Sequence, residues 1–180
     1  AQSLTVDDHG DIYVVALNLV EQKMIHKYAG ESGELIQSFC DSYAVSQDVD
    51  TREEAVYAQG SIAVEKDRVF YVQSYPHKIR TFDLSGTLIQ EFDARTAESQ
   101  APRTRLDDEG MQFQVPASFS RTIVPVEGEQ VLTILGLPFE GDGGTGYLDL
   151  YRLSDGARIA SLEDPPTVTL SCRDRRGRLY

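Results

Sequence analysis

The chain has 180 residues, and its 17 Lys and Arg stand against 29 Asp and Glu, a formal charge of −12. That balance argues against nucleic acid as a partner, because neutralising phosphates requires clustered Lys and Arg. With 41% hydrophobic residues there is material for a sizeable core, yet no apolar run approaches the roughly 18 residues of a membrane span.

Read in chain order, the elements are short strands. Leu4-Thr5-Val6 leads into the turn Asp7-Asp8-His9-Gly10, and strands are expected at 3–7, 12–17, 24–28 and 35–39. A long connection, Asp41 to Gly60, follows; it carries Asp48, Asp50, Glu53 and Glu54, with Tyr43 and Tyr57 near its ends. Its acidic residues lack the Asp-x-Asp-x-Asp-Gly order of a calcium loop, so it reads as a solvated loop. Only Thr51 to Ala58 has any helical character.

The pattern then returns. Ile62-Ala63-Val64 precedes Glu65-Lys66-Asp67, and strands are expected at 61–65, 69–74, 78–83 and 88–93. After Ala94 to Ser120, Val124-Pro125-Val126 before Glu127-Gly128 opens a third set at 121–127, 130–136, 147–153 and 157–162. A fourth begins with Leu170-Ser171-Cys172 at 167–173 and is interrupted at Leu179-Tyr180. The later half of each unit agrees: His26-Lys27-Tyr28, Gly33 and Leu35 to Phe39 match Arg80-Thr81-Phe82, Gly86 and Leu88 to Phe92. A third copy is Leu148 to Tyr151, Gly156 and Arg158 to Leu162.

Self-similarity at this period marks a repeat architecture. Four-stranded antiparallel units in series are the blades of a β-propeller; a β-sandwich is the alternative. The expectation is an all-β single segment over 1–180, with blades at about 3–42, 61–93 and 121–164 and a partial one at 167–180. Such rings need about four to eight blades to close. The open flanks are therefore expected to meet the remainder of a longer chain or a second copy.

The turns Asp8-His9-Gly10-Asp11-Ile12-Tyr13-Val14 and Arg173 to Tyr180, with Ile79-Arg80-Thr81-Phe82-Asp83-Leu84-Ser85-Gly86, carry a family likeness. The chain resembles six-bladed propellers of the NHL and TolB-like kind, although Gly128-Glu129-Gln130-Val131-Leu132 lacks the Tyr of that pattern. The resemblance implies blade geometry and no single activity, since such propellers bind proteins, bind glycans or hydrolyse substrates.

Strand direction alternates within a blade, so first-to-second and third-to-fourth connections share one end. Those turns are short: 7–11, 29–34, 65–68 and 83–87. The long segments 41–60, 94–120 and 136–146 all fall at the opposite end, and long loops concentrate function. That end is the candidate binding surface, and Tyr57, Tyr75, His77, Arg103 and Arg105 are its candidate contacts. Tyr offers contact area at low entropic cost, and Arg recognises carboxylates in bidentate fashion. Met111, Phe113 and Phe119 either pack the 94–120 segment down or join a partner site.

Catalytic signatures are absent from the sequence. His9, His26 and His77 have no close-spaced partner, His26 reads as a rim residue and His77 as an exposed turn residue. Neither Gly-x-Ser-x-Gly nor His-Glu-x-x-His occurs. Gly141 to Gly146 lacks the Gly-Lys-Ser/Thr ending and helix of a phosphate loop. Cys40 and Cys172 have no redox or metal spacing and read as free thiols on different blades.

The reading is thus a non-catalytic binding or scaffolding propeller, without a cofactor, holding a protein, peptide or glycan. The alternative is a divalent-metal hydrolase or lactonase of the gluconolactonase-like kind. With Asn18 its single Asn, the chain would have to build that site from carboxylates. No basic stretch or apolar signal-type segment opens the sequence. Only four of the basic residues are Lys, which fits a high-salt setting or a GC-rich genome, and an extracytoplasmic location is preferred to a cytoplasmic one.

Overall fold

The computed structural model describes residues 3–18, 21–41, 60–95, 97–98, 103–106, 108–110, 112–115, 117–136 and 146–163. They form an all-β structure with no helix among the described residues, and hence none able to cross a membrane. The expected strand at 167–173 lies outside them.

Three four-stranded antiparallel sheets follow one another, each built in simple up-and-down order. The first contains β1 (Ser3–Val6), β2 (Ile12–Asn18), β3 (Lys23–Tyr28) and β4 (Leu35–Asp41). The second contains β5 (Gly60–Glu65), β6 (Arg68–Gln73), β7 (Lys78–Asp83) and β8 (Leu88–Asp93). A separate hairpin pairs β9 (Arg103–Leu106) with β10 (Gln112–Val115). The third sheet contains β11 (Phe119–Val126), β12 (Gln130–Gly136), β13 (Gly146–Arg152) and β14 (Arg158–Glu163).

Side-chain alternation explains how the sheets stack. In β6, Val69 and Tyr71 point to one face and Phe70 and Val72 to the other, and all four are buried. The first pair packs with Tyr13, Ile25 and Phe39 of the first sheet, the second with Ile123, Val131 and Tyr151 of the third. The second sheet is therefore a middle layer covered on both faces, which is why β6 reads as an unbroken β-branched and aromatic run. The outer strand β14 is exposed along its whole length.

The sheets approach one another most closely through their first two strands. Ser3 Oγ in β1 accepts a hydrogen bond from the Ile62 amide in β5 at 3.2 Å. Short turns close the opposite strand ends, and aspartates shape them. Asp7 Oδ1 accepts from the amides of His9 and Asp11, and Asp83 Oδ1 from those of Ser85 and Thr87. These are Asx turns, in which a side chain replaces a backbone acceptor.

One alignment expected from sequence is displaced by a residue. Ile123 and Val131, not Val124, occupy the face turned to the preceding sheet, as Ile62 and Val69 do in the second. Thr122 to Pro125 are all buried, so the run has no alternation to fix its register, and a one-residue slip exchanges the two faces.

Candidate functional site

Every long connection leaves the sheets at the same end. Asp41 pairs with Lys23, Gly60 with Gln73, Asp93 with Lys78, and Phe119 and Gly146 both with Gly136. These register pairs place the mouths of 41–60, 94–118 and 136–146 beside the β2–β3 and β6–β7 turns. The 94–118 excursion begins and ends at one point. The Ala94 amide donates to His77 O at 2.9 Å, and the Ser120 amide donates to Ser74 Oγ at 2.7 Å.

Its start is pinned by a buried ion pair. The Arg95 guanidinium donates through Nε and Nη2 to both carboxylate oxygens of Asp149 in β13, with both side chains almost wholly buried. It also donates to Ser161 Oγ and Glu98 Oε1, and its central carbon lies 3.7 Å from the centre of the Tyr147 ring. Burial alone would lower the Arg95 pKa; the bonds to Asp149 and Glu98 outweigh it and hold the group above its ordinary value.

Asp149 is one of three equivalent positions. His26, Arg80 and Asp149 each lie two residues before the third-strand aromatic, and each is buried. Opposite them on the fourth strand stand Ser38, Glu91 and Ser161. His26 Nδ1 lies 2.9 Å from Ser38 Oγ, and Arg80 Nε donates to Glu91 at 2.5 Å. Arg80 also reaches Gln73 Oε1 at 3.0 Å and Cys40 Sγ at 3.5 Å. Burial pushes the Cys40 thiol up to about 11. Cys40 lies inside β4, not beyond it, and is a free thiol; Cys172 lies outside the described residues.

The sequence candidates fare differently. Tyr57 lies outside the described residues. Tyr75 is half-buried in the β6–β7 turn, where its carbonyl accepts from Gln73 Nε2 at 2.7 Å. His77 is fully buried, which corrects the exposed turn residue expected from sequence. The reason is the excursion: its returning segment brings Ser118 and Ser120 over the turn. His26 is likewise a buried strand residue, not a rim residue.

His77 Nδ1 is 3.1 Å from Gln73 O and 3.0 Å from Ser120 Oγ. With Nδ1 protonated, the ring donates to the Gln73 carbonyl, to which Ser120 Oγ also donates at 3.3 Å, and in that tautomer it has no lone pair facing the serine. Burial pushes the imidazole down to about 4. Both side chains are buried where the returning segment meets the β6–β7 turn.

Arg103 and Arg105 lie in β9, exposed and on one face of that strand. No hairpin is expected there from sequence, where 94–120 reads as a connection. Arg-Thr-Arg-Leu carries no alternation of apolar and polar residues, and the Asp108-Glu109-Gly110 turn, with Gly110 at φ 80°, is the signal that could have revealed it. Among the described residues no group of three or more His, Cys, Asp or Glu is placed to hold a metal. The alternative carboxylate metal site therefore has no ligand set there. The carboxylates of 42–59 lie outside the described residues.

A comparison with protein-family models and with curated proteins finds no match to this chain.

Proposed function

We propose that the three sheets are consecutive blades of a β-propeller of the NHL and TolB-like kind, and that the chain is a non-catalytic binding module. The propeller reading is supported by the simple strand order, the chain-order stacking and the close approach of the first strands. The observation that carries the binding reading is the anchored arm. Arg95 locks the start of the arm to the third sheet, Ser118 and Ser120 hold its end to the second, and β9 between these anchors is exposed at every residue.

A two-stranded hairpin is marginal by itself, and all four residues of β9 are exposed. Its cost is understandable if it presents side chains. Arg103 and Arg105 are two residues apart, about 7 Å along a strand, and offer two guanidinium groups to a ligand with spaced carboxylates.

Arrays of acidic peptides and acidic glycans, probed with the labelled protein, test this. The reading expects binding that falls at least tenfold in R103A/R105A while the melting temperature is unchanged. No binding to either array, or equal binding by the variant, would contradict it.

A further inference from the structure

Both ends of the hairpin arm meet at one buried residue. At the start, the Ala94 amide donates to His77 O at 2.9 Å. At the return, His77 Nδ1 is 3.0 Å from Ser120 Oγ and 3.1 Å from Gln73 O. Ser118 Oγ donates to Ser74 O at 3.3 Å, and the Ser120 amide donates to Ser74 Oγ at 2.7 Å. Ala117, Ser118, Ser120 and His77 are all buried.

The surroundings of the ring suit its neutral form. The returning segment 117–120 brings no titratable side chain to it. The charged groups that act on the ring from other elements are Asp149 in β13, and Arg95 and Glu98 in the arm. Both carboxylates are committed to Arg95: Asp149 accepts from its Nε and Nη2, and Glu98 from its Nη1. Tyr151 also donates to Asp149, at 3.3 Å. A charge on His77 would therefore be buried and poorly balanced, which disfavours it.

The returning end also contains a break in its pairing. β11 pairs with β12 from Phe119 onward, but the register shifts between Ser120 and Thr122. Such a bulge disrupts the ladder locally, so Phe119 and Ser120 can leave β12 while Thr122 to Val126 stay paired.

We propose that the returning end of the arm is an acid-labile latch: it lifts at this bulge, exposes His77, and is held open when the exposed imidazole takes a solvent proton. The ring's pKa moves from about 4 in the closed latch to the ordinary 6.5 in the open one. By proton linkage the opening equilibrium then rises about twentyfold between about pH 7 and about pH 5. The latch does not depend on what the arm binds, so it stands or falls separately from the ligand reading above.

Native-state hydrogen exchange of the full chain, followed by NMR at about pH 7 and about pH 5, reads the opening of single amides. At both pH values the Ser120 amide is expected to open more readily than the amides of β12. Corrected for intrinsic exchange, its opening constant is expected to rise about twentyfold on acidification. In H77Q that rise is expected to vanish. A Ser120 opening constant that does not change with pH would overturn the proposal. So would Ser120 exchanging in step with β12, which would mean that His77 meets water only when the whole molecule unfolds. Both of these outcomes are read from the wild type and stand even if H77Q fails to fold. An equal rise in H77Q would also overturn it, by assigning the acid sensitivity to another group.

Discussion

Gly86 lies against the ring of Phe39, joining the β7–β8 turn of the second sheet to the outer strand of the first. Gly33, at the equivalent turn of the first sheet, shares its positive φ but has open space among the described residues where a β-carbon would sit. Alanine at either position carries left-handed strain of about 1–2 kcal/mol. At Gly86 the added methyl also overpacks Phe39, for about 1–3 kcal/mol more. Thermal unfolding of G33A and G86A should therefore show the larger loss in G86A. Equal losses would mean that the turn and the ring do not meet.

The contact of Arg95 with Asp149 joins the start of the hairpin arm to the third sheet, with both groups buried. Removing one partner leaves an uncompensated buried charge, at a cost of about 3–5 kcal/mol. R95A and D149A should each destabilise on that scale. The double variant should lose clearly less than the sum, because both single losses include the stranded charge. Additive losses in denaturant unfolding would show that the two do not interact.

Much of this fold is legible in the sequence because each unit repeats the same grammar. Aspartate or glycine at the turns, with apolar alternation between them, locates the twelve strands of the three sheets to within about two residues. The register of β11 is not legible, since Thr122 to Pro125 are buried on both faces. The end of the molecule that carries the long connections follows from strand direction alone. Burial at that end does not: nothing near His77 in sequence announces that Ser118 and Ser120, over forty residues away, will cover it. Arg95 is hidden for the same reason, because its partner Asp149 lies 54 residues on.

His77 makes stability depend on pH. Its folded pKa, about 4, lies below the ordinary value of 6.5 because burial disfavours the imidazolium; hydrogen bonding to Gln73 O and nearby Asp149 oppose the shift only in part. The unfolded chain binds the proton more readily between these values, so stability is full above pH 6.5 and falls as pH drops toward 4. The loss is about 3 kcal/mol relative to a non-titrating residue. Urea unfolding of wild type and H77Q at about pH 7 and about pH 4.5 should show the wild type losing more. Parallel losses would mean that His77 is not buried neutral.

Thr81 and Thr133 each bury a hydroxyl that has no hydrogen-bond partner among the described residues. Removing an unsatisfied buried polar group while keeping its shape is neutral or stabilising. T81V should raise the melting temperature, on the scale of about 1 kcal/mol. A lowered melting temperature would show that the hydroxyl is bonded in solution.

A hydrogen-exchange footprint of whichever acidic peptide or glycan the protein binds locates the binding end of the molecule. Slowed exchange is expected in the β6–β7 turn at 74–77 and in the hairpin strands 103–106 and 112–115, with the short turns unchanged. Protection confined to 7–11, 65–68 and 83–87, at the opposite end of the sheets, would contradict it.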